Sequence, residues 1–85
     1  MTNTKARHEV IYQASVKVLD KAGGIETFDA LPQLERSPAL HQMAEEVIKL
    51  TDCKITSAKR NLAKALRRAR YSQMKIREMK TKWER

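Results

Sequence analysis

The chain of 85 residues holds one cysteine, two glycines, two prolines and four aromatic residues, and each scarcity excludes something. Cys53 has no second thiol, so no disulfide can close within the chain, and a reducing compartment suits it. Gly23 and Gly24 are adjacent, so there is no glycine-rich phosphate loop. No apolar run approaches the ~20 residues of a membrane span. The polar opening MTNTKARHE lacks the apolar centre of a signal peptide. A cytoplasmic protein without membrane contact is the expectation. Tyr12, Phe28, Tyr71 and Trp83 are the only aromatics. A chain of this length buries roughly 60–65% of its unfolded surface, so its core is thin and a deep substrate pocket is not expected.

Charge is present in quantity and unevenly placed. The net charge is +8. Residues 1–53 carry six Lys/Arg and eight Asp/Glu, a sum of −2; residues 54–85 carry twelve and two, a sum of +10. One domain, 1–85, therefore reads as a near-neutral body joined to a strongly basic C-terminal third. An excess of that size repels itself unless a polyanion neutralises it. Nucleic acid is the first expectation; an anionic membrane or an acidic protein surface comes second.

The spacing predicts an all-α chain. Val10, Ile11, Ala14, Val18 and Leu19 form one apolar stripe over a helix from Lys5 to about Ala22, with Thr4 as its cap and Gly23-Gly24 as its stop. A short helical segment opening at Glu26 or Thr27 and stopped by Pro32 would place Ile25, Phe28, Leu31 and Leu34 under the core. Ser37-Pro38 reads as a cap followed by proline at the first helical position. The helix it opens would run to about Leu50 with Leu40, Met43, Ala44, Val47, Ile48 and Thr51 inward and Glu45 paired to Lys49 outside. From Ala58 to the end there is neither glycine nor proline. Ala58, Leu62, Ala65, Ala69, Ser72, Ile76, Met79 and Trp83 recur at alternating spacings of four and three, the rhythm of a helix packed along its length against another.

Between these helices lies TDCKITS, residues 51–57, six of them weak helix formers. A helix continuous from Pro38 to Arg85 would carry a handicap of ~2–3 kcal/mol over this window. Thr, Ser and Asp there also favour turns by bonding to nearby backbone. A bend at Asp52–Ile55 lets both stripes be buried in one molecule. The expected fold is a small bundle of three to four helices.

AEEVIKLTDCKITSAKRNLAKAL, residues 44–66, resembles the helix-turn-helix of bacterial and phage DNA-binding regulators. The resemblance implies that Val47, Ile48 and Thr51 line the buried face of a supporting helix, that Asp52 stands where the family has a turn glycine, and that Cys53 follows as the apolar turn residue. Ala58 and Leu62 would pack the recognition helix. Thr56, Ser57, Lys59, Arg60, Ala63 and Lys64 fall on its outward positions. Asp52 and Lys54 depart from the family's usual glycine and serine, and Asn61 puts a polar group near the packing face.

Residue chemistry points the same way. A helix can enter the major groove with its N-terminal turn nearest the base edges. Arg60 suits a bidentate contact to guanine; Lys54, Lys59 and Lys64 suit phosphates. Arg67, Arg68, Arg70, Lys75, Arg77, Lys80 and Lys82 would follow the backbone or simply solvate the helix. The DNA-binding set is therefore Lys54, Thr56, Ser57, Lys59, Arg60, Lys64, Arg67 and Arg68, in a small regulator or accessory factor of transcription. RNA is the alternative ligand, although RNA recognition favours stacking aromatics and only Tyr71 lies well within the basic run. A structural or adaptor module docking on an acidic protein is the third reading. Ile76, Met79 and Trp83 either pack on the first helix or join two copies in a homodimer through the C-terminal helix. His41 and Glu45 share a helix face, but too few further ligands exist for a metal site, and Cys53 with His41 makes a weak nucleophile–base pair. Asp29, Glu26 and Glu35 read as solvated loop charges. No catalytic residues, metal or cofactor are expected.

Overall fold

A computed structural model describes residues 4–83, with side chains over 7–79. Four helices occupy them: α1 (Thr4–Lys21), α2 (Gly24–Asp29), α3 (Gln33–Thr51) and α4 (Ile55–Trp83). The fold is all-α, as the spacing predicts. No helix among the described residues is long and apolar enough to cross a membrane. The expected cap at Thr4, the anchor at Trp83 and the cations Lys80 and Lys82 lie outside the described side chains.

α1, α3 and α4 pack on one another around a single core, and α2 closes one end of it. Ile11, Ala14, Val18 and Leu19 enter that core from α1, Met43, Ala44 and Val47 from α3, and Ala58, Leu62, Ala65 and Leu66 from α4. Ile25 and Phe28 seal it from α2. Small residues at Ala44, Ala58 and Ala65 let the helices approach closely. Val47 and Leu62, both fully buried, fill the centre. Two polar residues are also interior and satisfy themselves locally: Ser15 Oγ donates to the Ile11 carbonyl at 2.8 Å, and Asn61 Nδ2 donates to the Ser57 carbonyl at 2.9 Å. Asn61 therefore sits in the packing face without leaving a buried donor unpaired.

The boundaries correct several expectations. α1 stops at Lys21. Both glycines then take positive φ, 106° at Gly23 and 79° at Gly24, which residues with a side chain rarely adopt. α2 opens directly at Gly24, earlier than Glu26 or Thr27, and ends at Asp29. Thr27 helps hold that opening by donating from its hydroxyl to the Gly23 carbonyl at 2.9 Å.

Ser37-Pro38 does not start α3. The helix begins at Gln33, with Pro32 in an extended conformation at the cap and Pro38 inside the helix. Tertiary contacts supply the reason. Arg36 donates from Nε to the Leu31 carbonyl at 3.2 Å and from Nη2 to the Asp29 carbonyl at 2.9 Å. The first turn of α3 is thus tied to the last carbonyl of α2 and to the connection that follows it, and Pro38 is carried as an early interruption. Leu34, expected under the core, is 92% exposed in that turn, and Val10 is also exposed. Glu45 faces His41 Nε2 at 3.2 Å instead of pairing with Lys49.

The bend between α3 and α4 is present. α3 ends at Thr51, whose hydroxyl donates to the Val47 carbonyl at 2.8 Å. Asp52 caps it with φ 55° and ψ 38°, and its N–H reaches the Ile48 carbonyl at 2.7 Å. α4 begins three residues later.

α4 has 29 residues, about 43 Å at 1.5 Å per residue, against about 27 Å for α1. The body covers only its first half. Ala58, Leu62 and Ala65 are buried and Ala69 half-buried, but Ile76 and Met79 on the same stripe are 56% and 58% exposed. Of the two alternatives for Ile76 and Met79, packing on the first helix is ruled out: α4 outruns the helices it lies against.

Candidate nucleic-acid interface

The bend fixes which side of α4 faces out. Because Ala58, Leu62, Ala65 and Leu66 are held against α1 and α3, residues half a turn away must point to solvent. Thr56, Arg60, Lys64, Arg67, Tyr71 and Lys75 follow one another at spacings of three and four along that outer side, and all are exposed. Lys54, in the linker, is exposed beside the first turn.

The predicted site residues thus divide. Lys54, Thr56, Arg60, Lys64, Arg67 and Arg68 are exposed. Ser57, Lys59 and Ala63, expected outward, are half-buried. Ser57 gives its carbonyl to Asn61. Lys59 borders a recess against α3 lined by Ser37, His41 and Glu45. These residues belong to the edge where α4 meets α3. Cys53 is half-buried and packs on the core, as an apolar turn residue should.

The cations of α4 are held in two different ways. On the side toward α2, Arg70 grips Asp29: Nη2 lies 2.6 Å from Oδ1, and Nε lies 3.0 Å from Oδ2. This corrects the expectation that Asp29 is a solvated loop charge: it closes α2 and pairs with Arg70. The Arg70 hydrogen bonds lower the Asp29 pKa, with burial opposing and the charges of Arg70 and Arg36 reinforcing them. The same contact raises the Arg70 pKa. One turn on, Gln73 Nε2 donates to Glu26 Oε1 at 3.0 Å, so Glu26 is engaged as well.

On the side toward α1, Tyr12 takes the place of a carboxylate. Lys64 Nζ lies 5.8 Å and the Arg68 guanidinium 5.0 Å from the centroid of its ring, and Arg68 Nη1 donates to the Tyr12 hydroxyl at 3.4 Å. Farther along, Lys75 Nζ stands 5.8 Å from the Tyr71 ring. Sequence reasoning did not single out Tyr12. Its signal was its place beside Ile11 at the edge of the α1 stripe, in a chain with few aromatics.

Among the described residues, no three of His, Cys, Asp and Glu converge to hold a metal ion. Comparison of the chain with protein-family models, with curated proteins and with solved structures finds no match.

Proposed function

We propose that the chain binds duplex DNA, with α3 as the supporting helix of a helix-turn-helix and the first half of α4 as the helix offered to the major groove. One observation carries this reading. Asp52 in the left-handed conformation turns the chain between two packed helices, and the outer side of the second presents Thr56, Arg60, Lys64 and Arg67 in a line. A helix packed on one side, with cations on its free side, suits the shape and charge of a DNA groove. Arg60 has the planar fork for a base edge, and Lys54, Lys64 and Arg67 serve phosphates. On this reading the chain is a binding protein, a regulator or accessory factor working beside nucleic acid in the cytoplasm.

Titration of the protein against fluorescent duplex DNA, duplex RNA and an acidic polypeptide, each at low and moderate salt, tests the proposal. Tightest binding to DNA, weakening steeply with salt and losing sequence preference in Arg60→Ala, is the expected result. Preference for RNA or for the polypeptide overturns it.

A further inference from the structure

Cations on the two flanks of α4 differ in what holds them, and the difference has a direction. Arg68 and Arg70 are two residues apart, so they leave the helix on nearly opposite sides. Arg70 meets a carboxylate in a two-pronged contact, which occupies its Nε and Nη2 donors and sets an opposite charge against its own. Lys64 and Arg68 meet an aromatic ring. A ring attracts a cation through its quadrupole yet carries no net charge, so it orders the side chain and leaves the positive charge uncompensated. Lys75 is held in the same manner by Tyr71. Lys64, Arg68 and Lys75 follow at spacings of four and seven, so they form one row on the α1 side of the helix.

We infer that this row is a phosphate track, so that the polyanion crosses α4 on its α1 side and not on its α2 side, with Tyr12 as the residue that positions Lys64 and Arg68 for it. The inference rests on the nucleic-acid reading above and adds to it the side of approach and the part played by α1. Two cations one turn apart, backed by one ring, face out together at a spacing set by the helix. The ring restrains both side chains before ligand arrives, which lowers the entropy that binding would otherwise cost. On the opposite flank Asp29 offsets Arg70, and Glu26 shares a recess with Arg77, so positive and negative charges balance there and phosphate gains less on that side.

The test is the salt dependence of binding to a short fluorescent DNA duplex by the full chain. Each phosphate contact contributes about 0.9 to the slope of log affinity against log salt. Lys64→Gln, Arg68→Gln and Lys75→Gln should each reduce the slope by about that amount. Arg70→Gln should leave it unchanged. Tyr12→Leu keeps both charges and should weaken binding severalfold with the slope retained, whereas Tyr12→Phe, which keeps the ring, should bind as the parent does. Melting curves of each variant separate loss of fold from loss of contact. Slopes unaltered in the row variants, a slope reduced by Arg70→Gln, or unchanged affinity in a folded Tyr12→Leu would each overturn the inference while the nucleic-acid reading stands. Failure of the unmutated chain to bind the duplex removes both.

Discussion

Arg70 and Asp29 are 41 positions apart in sequence and share a two-pronged contact, the shorter arm 2.6 Å from Nη2 to Oδ1. It fastens the end of α2 to α4, one turn before the last described contact between the two helices, from Gln73 to Glu26. The contact has a pH signature. The folded Asp29 pKa is lowered, chiefly by the hydrogen bonds from Arg70. Its stabilisation is therefore fully present above the ordinary carboxylate pKa of 3.8 and is lost as pH falls through the lower folded value. Both side chains are more than a third exposed, so screening by solvent limits the contribution to about 0.5–1 kcal/mol. Urea denaturation of Asp29→Asn should show that deficit at pH 7, with the gap to the parent closing in strong acid. A gap that persists there would assign the loss to something other than the charge.

Asp52 stands at φ 55°, a conformation that glycine adopts freely and β-branched residues resist. Asp52→Gly should be neutral or stabilising by up to about 1 kcal/mol, and Asp52→Val should destabilise by about 1–2 kcal/mol. Chemical denaturation measures both. If valine were tolerated as well as glycine, the bend would not depend on this residue's left-handed geometry.

Leu62 is fully buried between the helices and is the largest side chain so placed. Leu62→Ala should cost about 2–5 kcal/mol, a large share of the 5–15 kcal/mol that holds a typical domain together. Circular dichroism melting should show a much lower midpoint or no cooperative transition. A change of a few tenths of a kcal/mol would mean that α4 is not packed through this residue.

Ile76 and Met79 are exposed on the unsupported half of α4. Replacing both with lysine should leave the stability of the single chain, measured by chemical denaturation, within about 0.5 kcal/mol of the parent. Sedimentation supplies a second readout: a parent that sediments more heavily than the double variant would show that another copy covers these residues.

Much of this architecture was legible from spacing. The apolar stripes of α1, α3 and the first half of α4 name most of the core, since burying one side of a helix imposes a three-and-four rhythm on its apolar residues. Gly23-Gly24 marks the end of α1, and the weak helix formers of TDCKITS mark the bend at Asp52. Outward positions such as Arg60, Lys64 and Arg67 follow once the inward ones are known. Ser37-Pro38 misled because local capping chemistry favoured a start there, whereas Arg36 reaches the carbonyls of Asp29 and Leu31 and draws the start back to Gln33.

The order of residues along the chain already sets the class of the fold, the place of the bend and the concentration of positive charge in α4. These depend on residues near one another in the chain. Tertiary structure alone decided how each cation is held. Tyr12 reaches Lys64 and Arg68 from α1, and Asp29 reaches Arg70 from the end of α2. Composition counts all four cationic and acidic partners as charge on a surface. Only the packing of distant helices sets one guanidinium against a carboxylate and another against an aromatic ring, and so decides which positive charge is offset and which remains for a ligand.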